Sequence, residues 1–114
     1  KDIELAKKIK VMAPDALLCS NDFSAANILR SFAQLGVAVP EHIRVMGLDD
    51  VKYAQLLSVP LSTIHQPCRE IGEAAVTAMA QRLENRSLPT RDILLDTHLV
   101  VRESCGANQT AHSA

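Results

Sequence analysis

Residues 43–50 read IRVMGLDD, an apolar run that ends in a glycine and two adjacent carboxylates. A strand buried on both faces of a parallel sheet reads as a near-continuous apolar run. In open α/β sheets, ligands collect beyond the carboxyl ends of the strands. Asp49 and Asp50 therefore stand where a polar ligand would be met, and the rest of the chain can be read outward from that edge.

On the N-terminal side, residues 37–41, VAVPE, form a loop feeding this strand, and residues 23–35 before them read as a helix. Asn21 and Asp22 are favoured residues at a helix start, and Gly36 is favoured just past a helix end. The helix is apolar around much of its girth, so one face is expected on the sheet and the breadth of the rest suggests a second contact, such as another subunit. Residues 16–20, ALLCS, supply another buried strand. Strand, helix, strand in this length makes a parallel crossover the default. Residues 2–12 precede it as a helix with an apolar face (Ile3, Ala6, Ile9) and a lysine face, stopped by Pro14.

Beyond the acids, residues 51–57 read as a short helix or turn with Asp50 as its expected cap. Residues 61–65, LSTIH, have strand chemistry and end at Gln66. Pro67 suits a first helical position, where its missing N–H would have no partner anyway. Ile71, Ala74, Ala75, Ala78, Met79 and Leu83 then repeat at helical spacing, giving the clearest amphipathic helix in the chain. Gly72 inside it costs about 1 kcal/mol relative to alanine, which predicts a close backbone contact there. Residues 85–90 form a turn, 93–95 and 99–101 two strand-like pieces, and 105–114 a disordered tail.

The bulk composition narrows the function. At 114 residues there is room for one modest domain. With 47% hydrophobic and 22% charged residues the chain is an ordinary globular one. Its net charge of −1 gives no electrostatic reason to expect nucleic-acid binding by this piece, and 3% aromatic content without tryptophan gives no base-stacking platform. No apolar run approaches membrane-spanning length, so no membrane partner is expected. Three cysteines, an odd number, read as reduced thiols of a cytoplasmic protein. The chain opens on Lys1 rather than Met, as a fragment or a processed product would.

Catalysis finds little support. Asp22, Asp49 and Asp50 are the best acids and His42, His65 and His98 the available bases, but no serine or cysteine stands in a nucleophile pattern. His65, Cys68, Cys105 and His112 lack the paired spacing of metal ligands, and the four glycines are too scattered for a phosphate loop. No catalytic residue, metal or cofactor is expected. Binding reads better. Asn21 ends one strand and Asp49 the next, so both can face one crevice. A carboxylate accepts from two adjacent hydroxyls while an amide both donates and accepts, which suits a sugar or other polyol, with Phe23 as an apolar wall. Capping alone explains Asn21 and Asp22 equally well.

The series SNDFSAANILRSFAQLGVAVPEHIRVMGLDD, then PLSTIHQP, Gly72 and LVVRES, resembles the lactose/galactose repressor (LacI/GalR) family over about residues 14–104. That resemblance implies the C-terminal part of a bacterial transcription regulator whose effector-binding core is like periplasmic sugar-binding proteins. The implied fold is α/β, a parallel-sheet three-layer sandwich forming part of a type I lobe over residues 1–104, with 67–86 a helix of the other lobe. DNA would be reached only through an N-terminal helix-turn-helix absent from this chain. The resemblance places effector contacts on Asn21 and Asp49, with Phe23 and Gln66 next. It places dimer contacts on Ala26, Ile28, Arg30, Tyr53, Leu56 and Leu57. Leu48 and Ser62 depart from the family pattern, which commonly has an aromatic and a threonine there.

Two rival readings remain at this level: a secreted sugar-binding protein serving a transporter, and an enzyme built on the same fold. Cys19, the odd cysteine count and the VVRES ending favour the regulator. Without most of the first lobe, the apolar stripe of the 67–85 helix would lack its sheet, so the chain is expected to oligomerise, swap that helix or pack it abnormally.

Overall fold

The computed structural model describes residues 1–109. It contains α1 (Asp2–Met12), β1 (Ala16–Leu18), α2 (Asp22–Gln34), β2 (Arg44–Met46), a 3₁₀ turn (Lys52–Leu56), β3 (Thr63–His65), α3 (Cys68–Glu84) and β4 (His98–Val100). β1 and β2 pair in parallel, with Leu17 opposite Val45. Two parallel bridges, Met46 to Ser62 and Asp49 to His65, stitch β2 to β3. β4 closes the series antiparallel to β3. The expected α/β architecture is present, with the carboxyl ends of β1, β2 and β3 side by side.

Local chemistry explains the elements. Asn21 accepts from the Ser24 amide at 2.8 Å and so caps α2. Gly36, at φ 68°, takes the left-handed turn that follows the helix. α1 ends on Ala13, also left-handed, immediately before Pro14. Lys10 on its outer face donates to the Leu35 carbonyl at 3.0 Å, tying the ends of α1 and α2 together.

The core consists of Ala6 and Ile9 of α1, Ala25, Ile28, Leu29 and Phe32 of α2, Val37, Val39, Ile43, Val45, Ala54 and Leu61. α2 is packed against both α1 and β2, and this accounts for much of its apolar girth within the chain itself. Ile28 is a consequence. At 4% exposure it belongs to this core, which corrects its assignment to a dimer surface.

Other expectations are also revised. Residues 93–95 form no strand: Ile93 and Leu94 are exposed, and among the described residues no neighbouring strand is there to pair with them. Gly72 has nothing within 4 Å of a built Cβ, so no close contact explains it. Residues 105–109 are folded in turns, with Gly106 donating to Glu103 and Gln109 to Gly106. The disordered tail expected from 105 is thus not found over 105–109, and residues 110–114 of that expectation lie outside the described residues.

α3 has no buried residue. Residues 67–97 project from the body as an arm in which α3 runs beside the returning segment, with Arg82 donating to the Pro89 carbonyl at 3.2 Å. The radius of gyration is 18.7 Å and the extents 58 × 37 × 23 Å, against about 13 Å for a compact chain of this length.

Candidate ligand-binding edge

The strand ends are held by a buried carboxylate that capping alone does not explain. Asp22, fully buried, accepts from Thr63 Oγ1 at 2.6 Å through one oxygen and from the Val51 amide at 2.9 Å through the other. Its own amide donates to the Leu48 carbonyl at 2.9 Å. One residue at the start of α2 thus ties the chain leaving β1 and the chain leaving β2 to the first residue of β3. Gly47 makes the room: a Cβ there would lie 2.2 Å from Asp22 Oδ1. Asp22 was a candidate acid for catalysis, and its place is a structural tie. A second acid after an adequate cap was the only signal of this in the sequence.

Asp49 and Asp50 are separated in role by geometry. Both have positive φ, 120° and 57°, a conformation that few residues other than glycine adopt and that persists only where surroundings impose it. The Asp49 amide donates to the Ile64 carbonyl at 2.9 Å, and the Asp49 carboxylate accepts from Gln66 Nε2 at 2.5 Å through Oδ1. Among the described residues no donor engages its second oxygen. Asp50 turns the other way, to Arg102 Nη2 at 2.7 Å and His65 Nδ1 at 2.9 Å. It does not cap the Lys52–Leu56 turn as expected, because both its oxygens are engaged, one by Arg102 and one by His65. Burial raises the Asp50 carboxyl, but the bonds and charges of Arg102 and His65 outweigh it and hold the group below the usual carboxylate range.

Arg102 and Ser104 were seen in the sequence only as part of a motif. Arg102 also donates to the Leu61 carbonyl at 2.9 Å. Ser104, fully buried, accepts from the Ser62 amide at 2.8 Å and donates to the Val45 carbonyl at 2.6 Å. The chain after β4 therefore ties β2 to the segment entering β3, independently of Asp22.

Of the four expected ligand contacts, Asp49 and Gln66 are brought together at the ends of β2 and β3. Asn21 and Phe23 stand at the start of α2, where β1 ends. The Asn21 oxygen is engaged by Ser24, leaving its amide N–H groups as donors. Phe23 is 68% exposed and lines a groove of about 610 Å³ with Leu17, Leu18 and Cys19 of the β1 edge and Leu5 of α1. Gln66 and Pro67 line a second groove, of about 370 Å³, that continues under α3 along Ile71 and Ala75. The expected dimer positions Arg30, Tyr53 and Leu56 are exposed, and Ala26 and Leu57 are half-buried. Among the described residues no group of three or more His, Cys, Asp or Glu side chains is arranged to hold a metal ion. No helix there is long and apolar enough to cross a membrane.

Comparison with known proteins agrees with this architecture. A family model described as a periplasmic binding protein-like domain matches residues 1–105. The HTH-type transcriptional repressor PurR of Photobacterium profundum is 37% identical over 91 residues, 80% of this chain and 27% of that protein. The chain thus spans about a quarter of the length of the curated relatives it matches. Among solved structures, a transcriptional regulator of the LacI family from Sanguibacter keddieii superposes with a TM-score of 0.83 at 32% identity, covering 93% of this chain and 42% of that one. The transcriptional regulator CelR in complex with cellobiose superposes with a TM-score of 0.82 at 26% identity, covering 90% of this chain and 32% of that one.

Proposed function

Since this chain belongs to the periplasmic binding protein-like domain family, in the form that LacI/GalR transcription regulators carry, we propose that it is half of the effector-binding crevice of such a regulator and that Asp49 anchors the hydroxyls of a sugar or related polyol. The observation that carries this reading is the Asp49 carboxylate, held in a left-handed turn beyond the end of β2 with one oxygen on Gln66 and the other unengaged among the described residues. That second oxygen accepts from a ligand hydroxyl, and the Asn21 amide donates to a neighbouring one. Phe23 supplies the apolar side that a sugar ring presents. The likeness to a regulator complexed with cellobiose supports a carbohydrate as the ligand class.

In the whole protein, the ligand would be enclosed between this edge and a second lobe, and closure would shift the population between two arrangements of DNA-binding heads. Those heads would lie in an N-terminal helix-turn-helix outside this chain, in a cytoplasmic dimer. Arg30, Tyr53 and Leu56, with Ala26 and Leu57 behind them, form the surface through which this lobe would pair.

Calorimetric titration of the intact regulator, after a thermal-shift panel of sugars and nucleobases has found a ligand, tests the assignment. A carboxylate hydrogen bond is worth about 1.5–3 kcal/mol, so Asp49→Ala should weaken binding by at least about tenfold for each hydroxyl it holds. Unchanged affinity in Asp49→Ala would remove Asp49 from the site.

A further inference from the structure

We propose that His65 and His98 form a proton-responsive latch at the neck of the arm, a pair that accommodates one positive charge and is forced apart by two. The arm leaves the body after Gln66 and returns at His98, so both crossings meet at the end of the β3–β4 ladder, where His65 and His98 are register partners. Their rings stack with centroids 4.6 Å apart and planes at 26°. This is the rung on which the arm hangs.

The charged groups around the pair define what protonation does. From the end of β2, Asp50 meets His65 Nδ1 at 2.9 Å, and Asp49 is engaged by Gln66 beside it. From the chain after β4, Arg102 holds the other oxygen of Asp50 at 2.7 Å. On the arm itself, Asp96 stands two residues before His98. Asp50 is kept ionised by Arg102 and His65 against the cost of its burial. It is therefore a carboxylate throughout the range in which imidazoles ordinarily titrate.

With both rings neutral, His65 donates its Nδ1 proton to Asp50 and lies against His98. A proton added to His65 keeps that bond and adds an opposite charge to it. A proton then added to His98 places two cations face to face, while the single charge of Asp50 is already divided between Arg102 and His65. The repulsion falls on the last rung of the ladder and not on β1 or β2. Acidification thus loosens the neck and leaves the body closed. The latch uses no ligand and stands independently of the role given to Asp49.

Amide hydrogen exchange followed by NMR on the whole 114-residue chain, at pH 7.5 and pH 5.0 and corrected for the intrinsic rate, reads it out. Two unit charges at the observed 4.6 Å in a water-like dielectric change an opening equilibrium by about fivefold. Protection in Thr63–His65 and His98–Val100 should fall by about that factor on acidification, relative to the amides of β2. His98→Gln, which cannot take the second charge, should abolish the fall. His98→Phe, which keeps a stacked ring without the charge, should abolish it too. Constant protection in the wild type, or an equal fall in both variants, overturns the latch.

Discussion

Gly47→Ala is expected to be the most damaging single-methyl addition in the body. Its Cβ would lie 2.2 Å from Asp22 Oδ1, 3.2 Å from Asp22 Cγ and 3.1 Å from Leu61 Cδ2. The first distance is far inside van der Waals contact, so a neighbour must move. Leu61 is fully buried, and Asp22 is pinned by Thr63 and Val51. Overpacking of this kind costs about 1–3 kcal/mol. Displacing the carboxylate adds the loss of at least one hydrogen bond to a charged acceptor, worth about 1.5–3 kcal/mol. The sum, about 2.5–6 kcal/mol, corresponds to a Tm lower by roughly 10–25 °C for a domain of this size. The comparison is Gly72→Ala, where nothing lies within 4 Å and helix propensity favours alanine, so Tm should hold or rise slightly. Differential scanning calorimetry of both variants decides the matter. A loss below about 3 °C in Gly47→Ala would refute the claim that Asp22 is rigidly held. So would a double-mutant cycle with Asp22→Ala in which the two effects simply add.

Three further outcomes follow from the same network. Ser104→Ala strands the buried Ser62 amide and frees the Val45 carbonyl, so urea unfolding should show a loss of about 1–3 kcal/mol. Asp50 has its carboxyl lowered in the folded chain, so its stabilisation is fully present above the unfolded value of about 4 and is lost as pH falls below it. The Tm advantage of the wild type over Asp50→Asn should accordingly be largest near pH 7 and shrink below about pH 4, whereas a gap independent of pH would contradict the ion pair with Arg102. The exposed Val76, Met79 and Leu83 of α3 and Leu94 of the returning segment should drive self-association of the 114-residue chain. Light scattering should then give a mass that rises with concentration, and a constant monomer mass would show that the arm is tolerated bare.

What was legible in the sequence was local. The apolar runs at 16–20 and 43–48 and the helix starting at Asn21 were read from patterns spanning a few residues, and they stand close to where they were expected. What was not legible depends on partners far apart in the chain. Asp50 looked like a cap because caps are local, yet its partner Arg102 is 52 residues away. Ser104 closes the LVVRES motif with no role legible in its neighbours, yet it is buried against Val45, 59 residues earlier. Conversely, residues 93–95 have strand chemistry and form no strand, since strand chemistry describes a side chain's fitness for a sheet and does not supply the neighbour. Strand-end position and resemblance pick out the four ligand candidates. Asp22 as the tie that holds their strands was reachable from neither.

The division of labour between the two acids follows from where the chain is constrained. Two successive residues with positive φ would relax if either end were loose. Here the Asp49 amide is fixed to Ile64, and the Val51 amide two residues later is fixed to the buried Asp22. Between these ties the chain must turn sharply. Asp50 takes the inner course, to Arg102 and His65, where its charge is matched. Asp49 is left on the outer course with Gln66 as its partner and an oxygen still able to accept. Moving the charge of Asp49 inward would give Arg102 two carboxylates and the outer edge none. The two acids are therefore not interchangeable: the charge of Asp50 is matched inside the chain by Arg102 and His65, while the Asp49 carboxylate has the neutral amide of Gln66 as its partner among the described residues.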